Sequence, residues 1–314
     1  MRERILRAIG ALCLLAATPA SAATLTEVTG FGSNPGNLQM FEYVPTGLAA
    51  GRPLVVYLHG CGTGVTQVDN ETGWTMWAEQ HQFALVFPQQ KTSNNASRCF
   101  NWFNSADQTR GSGEALSIKQ MVDWAVSHHA LDVNRIYVTG VSAGGAMTVV
   151  MLAAYPDVFK AGQSRQGGPY KCATSLLQSS GCTNGTVNLT PQQWGDKVRG
   201  AFGWSGPWPR LSIWHGSADT VASPNNLTEL MEQWTNVHGH NLTPDVSDTV
   251  NGYPHKVYKD VSGTAVVETY SITGAIHGEF VDPGTGPTQC GVASTYFLDY
   301  NMCASYYALL WFGI

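Results

Sequence analysis

The stretch Asn134 to Gly145, NRIYVTGVSAGG, constrains this chain more than any other. Ile136-Tyr137-Val138-Thr139 reads as a short buried strand. It runs into Gly140-Val141-Ser142-Ala143-Gly144, a G-x-S-x-G turn in which a strand reverses sharply into a helix and holds a serine at its tip. Glycine at both flanks removes the Cβ atoms that would keep strand and helix apart. The helix expected to follow, Gly145 to Tyr155, has an apolar face of Ala146, Val149, Val150 and Ala153 and a stop at Pro156. Its first N–H groups, unpaired within the helix, aim at the serine. With 34 glycines in the chain a stray G-x-S-x-G is not improbable. The apolar strand before this one and the helix after it are what single it out.

A serine is inert at neutral pH until a base takes its proton, and the base must be oriented by a carboxylate. On this kind of turn the chain order is Ser, acid, His. Leu211-Ser212-Ile213-Trp214 reads as a buried strand, and Asp219 lies in the loop directly after it. Asp245 and Asp248 lie in a polar loop with no strand before them. Among the later histidines, His215 precedes the acid, His238 and His240 sit at a polar helix end, and His255 starts a strand. His277 sits in a Gly-flanked loop after the strand Ala265 to Ile272, where a base with some freedom of movement belongs. The assignment is therefore Ser142 as nucleophile, His277 as general base and then acid, and Asp219 as its orienter. The bland alternatives are a turn residue for Asp219 and a structural histidine for His277.

The rest of the chain alternates strands and helices, which argues an α/β sheet covered on both faces. Pro53 to Leu58 is a continuous apolar run of the kind seen in buried parallel strands. It ends in His59-Gly60-Cys61-Gly62. A tetrahedral intermediate needs two preorganised N–H donors for its oxyanion, and Ala143 and Cys61 are the expected pair. Trp74 to His81 reads as a helix and Phe83 to Pro88 as a second buried strand. Gln89 to Arg110 is a long polar loop, and long loops in compact domains tend to be functional. Within it Trp102 reads either as a flat apolar wall for an acyl or aromatic group or as a packing residue; with His59 it is a candidate substrate contact. A strand is expected to start over Val158 to Gly162, followed by a polar excursion from Gln163 to Arg199. A helix is expected over Asn226 to Val237, an antiparallel pair over Lys256 to Asp260 and Ala265 to Ile272, and a terminal helix from Ser294 to Trp311.

Charged residues are 12% of the 314, and the net charge of −5 comes with no basic run beyond the N-terminus. Nucleic-acid binding thus has no electrostatic footprint. Arg2, Arg4 and Arg7, the apolar Ala8 to Ala17 and Ala20-Ser21-Ala22 read as a cleavable secretory leader over residues 1–22. Residues 23–314 remain as one domain. No other stretch qualifies as membrane-spanning. Seven cysteines become six when Cys13 leaves with the leader, and an even count in an exported chain reads as disulfides. Six cysteines allow fifteen pairings, and sequence does not choose among them. The working set is Cys61–Cys99, Cys172–Cys182 and Cys290–Cys303, the last two closing short loops. No C-x-x-C pair points to a metal.

With these residues in place the chain resembles the extracellular polyhydroxybutyrate depolymerase-type esterases, a group that also includes feruloyl and acetylxylan esterases. The similarity rests on LHGCG at Leu58 to Gly62, RCFNWF at Arg98 to Phe103 and GEALSIKQMVDW at Gly113 to Trp124. RIYVTGVSAGGAM at Arg135 to Met147 and WHGSADTV at Trp214 to Val221 complete it. The resemblance implies an α/β-hydrolase fold, no metal or other cofactor, the same triad and a Cys61–Cys99 bridge. It implies a secreted, monomeric serine esterase whose partner is a polyester or polysaccharide ester, with no nucleic acid and no membrane after leader cleavage. Many such depolymerases carry a linker and polymer-binding domain after the catalytic domain, and this chain is expected to have neither. The leading substrate is short-chain polyhydroxyalkanoate, the rival a feruloyl or acetyl ester of xylan, for either of which Trp102, Trp204 and Trp208 would suit. A non-catalytic binding protein on the same scaffold is the alternative of another class.

Overall fold

The computed structural model describes residues 24–314; the leader expected at 1–22 lies outside them. In chain order the strands are β1 (Thr26–Val28), β2 (Gln39–Tyr43), β3 (Leu54–Leu58), β4 (Ala84–Gln89), β5 (Ile136–Val141), β6 (Ala161–Arg165), β7 (Arg210–Gly216), β8 (Val246–Val250), β9 (Tyr253–Lys259), β10 (Ala265–Ile272), β11 (Glu279–Val281) and β12 (Phe297–Asp299). The helices are α1 (Val65–Glu71), α2 (Trp74–His81), α3 (Gly113–His129), α4 (Ala143–Ala154), α5 (Leu176–Thr183), α6 (Pro191–Arg199), α7 (Asn225–Val237) and α8 (Ala304–Phe312).

Side chains alternate across a strand, so a strand buried at every position must be covered on both sides. Strand β3 is buried throughout. Leu54, Val56 and Leu58 join a core with α3, α4 and α7. Val55 and Tyr57 join a second core with α1, α2 and α8. Ten strands form the sheet between these layers, in the order β1-β2-β4-β3-β5-β6-β7-β10-β9-β8. From β4 to β10 every neighbouring pair is parallel, and both margins are antiparallel. A small parallel pair, β11 with β12, follows the last long strand.

Three expectations shift. The strand expected to start over Val158 to Gly162 does start there, at Ala161, but runs on to Arg165. Gln163, Ser164 and Arg165 read as polar excursion, yet all three are buried because they satisfy one another and their neighbours. The terminal helix begins at Ala304, not Ser294. Residues 297–299 are drawn into β12, and Cys303, bridged to Cys290, caps the helix. The stretch holding Asp245 and Asp248 includes an edge strand, β8. Cysteines pair as Cys61–Cys99, Cys172–Cys182 and Cys290–Cys303.

The glycines around β5 are needed because α4 starts wedged between strand ends. A Cβ on Gly144 would lie 2.0 Å from the Leu58 carbonyl oxygen, and one on Gly140 would lie 2.5 Å from the Gly144 carbonyl oxygen. Both obstacles are backbone and cannot swing aside. Gly144→Ala is therefore expected to cost at least ~1–3 kcal/mol in urea unfolding. Gly203→Ala, where nothing lies within 4 Å, should stay within about 0.5 kcal/mol of wild type. Equal stability of the two variants would contradict this packing.

Candidate active site

Ser142 follows β5 directly, as the N-cap of α4, with φ 57° and ψ −123°, an unusual conformation for a residue with a side chain. Its N–H donates to the Arg165 carbonyl at 2.8 Å, which pins the turn to the end of β6. Helix α4 then starts at Ala143, so its unpaired first N–H groups surround the serine.

Asp219 and His277 reach the serine from neighbouring parallel strands, β7 and β10, whose following loops are joined. Ala218 N–H donates to the Ala275 carbonyl at 2.9 Å, and Gly274 N–H to Ser217 Oγ at 2.8 Å. His277 Nε2 lies 2.8 Å from Ser142 Oγ, and its Nδ1 lies 2.7 Å from Asp219 Oδ2. With Nδ1–H donating to the carboxylate, Nε2 is left as the acceptor for the serine hydroxyl. Asp219 Oδ1 accepts the N–H groups of Val221 and Ala222 at 2.8 and 2.9 Å. His215 Nε2 lies 3.4 Å from Oδ2 and 2.9 Å from the Ala222 carbonyl. Burial alone would raise the Asp219 pKa, but the hydrogen bonds from His215 and His277 outweigh it and hold the carboxyl well below the usual range. Asp219 is thus a fixed anion throughout the neutral range.

A cavity of about 230 Å³ opens on Ser142 and His277. Cys61 and Ala143, the expected oxyanion donors, both line it, and neither N–H is engaged by another group among the described residues. Trp102 and Phe103 form one wall, edge to face with centroids 5.5 Å apart, and Val221 and Ala222 border it near the acid loop. The Trp102 loop is anchored from below by Glu114, which accepts Asn101 N–H and Asn101 Nδ2 at 2.8 Å each and Gln90 Nε2 at 2.5 Å. Burial, with Asp107 nearby, pushes the Glu114 carboxyl up to about 8. The Cys61–Cys99 bridge ties the loop after β3 to the Trp102 loop at the cavity edge.

Some expected contacts lie elsewhere. His59 is 2% exposed and does not line the cavity. Its Nε2 accepts the Gln90 N–H at 3.0 Å and its Nδ1 meets the Gly60 carbonyl at 2.7 Å, so it shapes the Cys61 loop rather than touching a substrate. Burial pushes its pKa down to about 4. Trp204 and Trp208 lie in the loop before β7, at the opposite end of the parallel strands from Ser142. Asp248 pairs with His255 on the β8–β9 edge, and Asp245 with His240. Both carboxylates are thus taken up by other histidines, while His277 Nδ1 is already held by Asp219. Sequence reading missed Gln166, which borders the cavity directly after β6. The pair Gly167-Gly168 after a strand end is the available signal, hidden because the polar last residues of that strand read as part of the excursion.

The family model described as Esterase PHB depolymerase matches residues 38–244. Poly(3-hydroxyalkanoate) depolymerase C of Paucimonas lemoignei is 54% identical over 302 residues, covering 96% of this chain and 73% of that protein. Feruloyl esterase B of Talaromyces funiculosus is 36% identical over 285 residues, 88% of this chain and 77% of that protein. Among solved structures, an acetyl xylan esterase from Aspergillus awamori superposes with a TM-score of 0.79 at 28% identity, covering 92% of this chain and 99% of the other.

His59 gives the site a testable pH response. Its folded pKa is depressed from 6.5 to about 4, so its stabilising contribution is full above about 6.5 and is lost as the pH falls through 4. Urea unfolding of the wild type should weaken across that window. His59→Gln, whose amide oxygen can take the same Gln90 N–H, should show a shallower decline. Parallel pH profiles for the two proteins would contradict the role given to His59.

Proposed function

The chain belongs to the esterase PHB depolymerase family and is a carboxylic ester hydrolase of the α/β-hydrolase fold, and from that premise we propose that it is a secreted serine esterase that hydrolyses short-chain polyhydroxyalkanoate through an acyl-enzyme on Ser142. The observation that carries this reading is the unbroken hydrogen-bond run from Ser142 through His277 to Asp219 at 2.8 and 2.7 Å. The 54% identity to a poly(3-hydroxyalkanoate) depolymerase supports the substrate class. Secretion is supported by the leader pattern and by the three disulfides. In this reading the catalytic domain spans residues 23–314.

The steps follow from the geometry. The Ser142 Oγ attacks the ester carbonyl carbon while His277 Nε2 takes its proton. Asp219 stabilises the imidazolium formed and keeps its own charge. The carbonyl oxygen becomes an oxyanion, for which the Cys61 and Ala143 N–H groups are the donors. The tetrahedral intermediate collapses, the C–O bond to the alcohol breaks, and His277 Nε2 returns its proton to the departing alkoxide. A water molecule, deprotonated by the same nitrogen, then attacks the acyl-Ser142 carbonyl; the C–O bond to Ser142 Oγ breaks, His277 Nε2 returns the proton to Oγ, and the acid is released. Trp102 and Phe103 supply an apolar wall suited to the aliphatic repeat of a polyester.

A second reading keeps the same chemistry on a feruloyl or acetyl ester of xylan. It is favoured by the 36% identity to a feruloyl esterase and by the TM-score of 0.79 with an acetyl xylan esterase. A substrate panel on the purified mature protein separates the two. Amorphous polyhydroxybutyrate suspension should clear, faster than ferulate leaves methyl ferulate or acetate leaves acetylated xylan. Ser142→Ala should lose on the order of 10⁶ in turnover, and Asp219→Asn about 10⁴. Ferulate or acetate release without clearing would move the chain to the cell-wall esterases, and full activity in Ser142→Ala would remove the serine mechanism.

A further inference from the structure

We propose that Gln166 is the positioning residue for the general base, holding His277 in register with Ser142 through the two peptide groups that flank it. The inference rests on the triad reading above and adds to it a residue outside the triad. Gln166 follows β6 directly, is 1% exposed and takes a left-handed backbone with φ 49°. Its own N–H is fixed by the Trp214 carbonyl at 2.7 Å, so the residue is tied to the end of β7 as well. Its side chain reaches across to the loop after β10. Nε2 donates to the Ile276 carbonyl at 2.8 Å, and Oε1 accepts the Gly278 N–H at 2.5 Å.

The two partners are the residues immediately before and after His277. One offers an acceptor and the other a donor. A single carboxamide satisfies both, in one orientation only; a carboxylate supplies acceptors alone, and an aliphatic chain neither. Other ties hold the loop before His277, from Ala218, Ser217 and Tyr300 Oη at 3.3 Å from Ile276 N, and after it, through the Arg165–Glu279 pair and the Glu279 N–H on the Tyr296 carbonyl; Gln166 is the side chain that grips both peptide groups directly flanking the base. Exposed Ile276 and half-buried His277 contribute little packing of their own. Gln166 also belongs to the segment whose preceding residue, Arg165, accepts the Ser142 N–H. Nucleophile and base are thereby referenced to the same two residues, 165 and 166. A displacement of the imidazole by about 1 Å is the kind of error that costs on the order of 10²-fold in rate.

Steady-state kinetics on a small p-nitrophenyl ester tests the assignment, with His277→Ala as reference. Gln166→Met fills the same space without either hydrogen bond. It should lower kcat about 10²-fold with KM within about twofold, while its unfolding midpoint stays close to wild type. Gln166→Glu keeps an acceptor for Gly278 N–H and loses the donor to Ile276. It should fall between wild type and Gln166→Met, and it replaces that variant if methionine is not tolerated in the fold. The low-field Nδ1 proton resonance of the His277–Asp219 bond should be present in wild type and weakened in Gln166→Met, a signature that a packing role would not move. Folded Gln166→Met and Gln166→Glu at wild-type kcat would overturn the proposal while an inactive His277→Ala leaves the triad standing. Wild-type turnover in His277→Ala would overturn both.

Discussion

The conformation of Ser142 is the constraint on which the rest depends. A non-glycine residue at φ 57°, ψ −123° is held at a cost of order 1–3 kcal/mol, and it persists only where the surroundings over-determine it. Here they do. Every residue of α4 is buried, so the helix cannot shift to relieve the turn. Gly140 and Gly144 let the strand ends close on it, and the Arg165 carbonyl takes the serine N–H. The result is a hydroxyl fixed at the tip of β5, at the carboxyl edge of the parallel strands where neighbouring loops converge.

Buried charge completes that arrangement. Arg165 is fully buried and forms an ion pair with Glu279, donating from Nη2 to Oε2 at 2.7 Å, with Nε 2.6 Å from Oε1 but not aligned to donate to it. Tyr57 donates to Glu279 Oε2 at 2.6 Å, and Thr139 Oγ1 accepts from Arg165 Nη1 at 2.5 Å. Glu279 stands two residues after His277, so the pair ties the base loop to the strand that also holds the serine. Breaking such a pair from one side typically costs about 3–5 kcal/mol, because the remaining charge stays buried without its partner.

What the sequence disclosed follows from range. The turn at Ser142 is encoded by residues within a few positions of one another, and Asp219 and His277 were placed by the buried strands before them. The start of β6 is legible, but its continuation through Gln163, Ser164 and Arg165 is not, because these residues are polar and their burial depends on partners such as the Ala304 carbonyl for Gln163, 141 positions away. Beyond the Gly167-Gly168 signal, the role of Gln166 is hidden for the same reason, since it exists only once residues 276 and 278 are brought to it. His59 reads as a substrate contact because an exposed and a buried histidine look alike in sequence; its burial and the Gln90 N–H and Gly60 carbonyl on its ring separate them. The terminal helix was read too long because aromatic periodicity does not register β12 or the Cys303 bridge.

Labelling with a small fluorophosphonate, followed by peptide mass spectrometry, is the most direct probe of the claim that Ser142 is an activated nucleophile. One phosphonyl group per chain is expected, on the peptide that contains Ser142, with none in Ser142→Ala. An unlabelled wild-type protein, or a label that survives in Ser142→Ala, would contradict it.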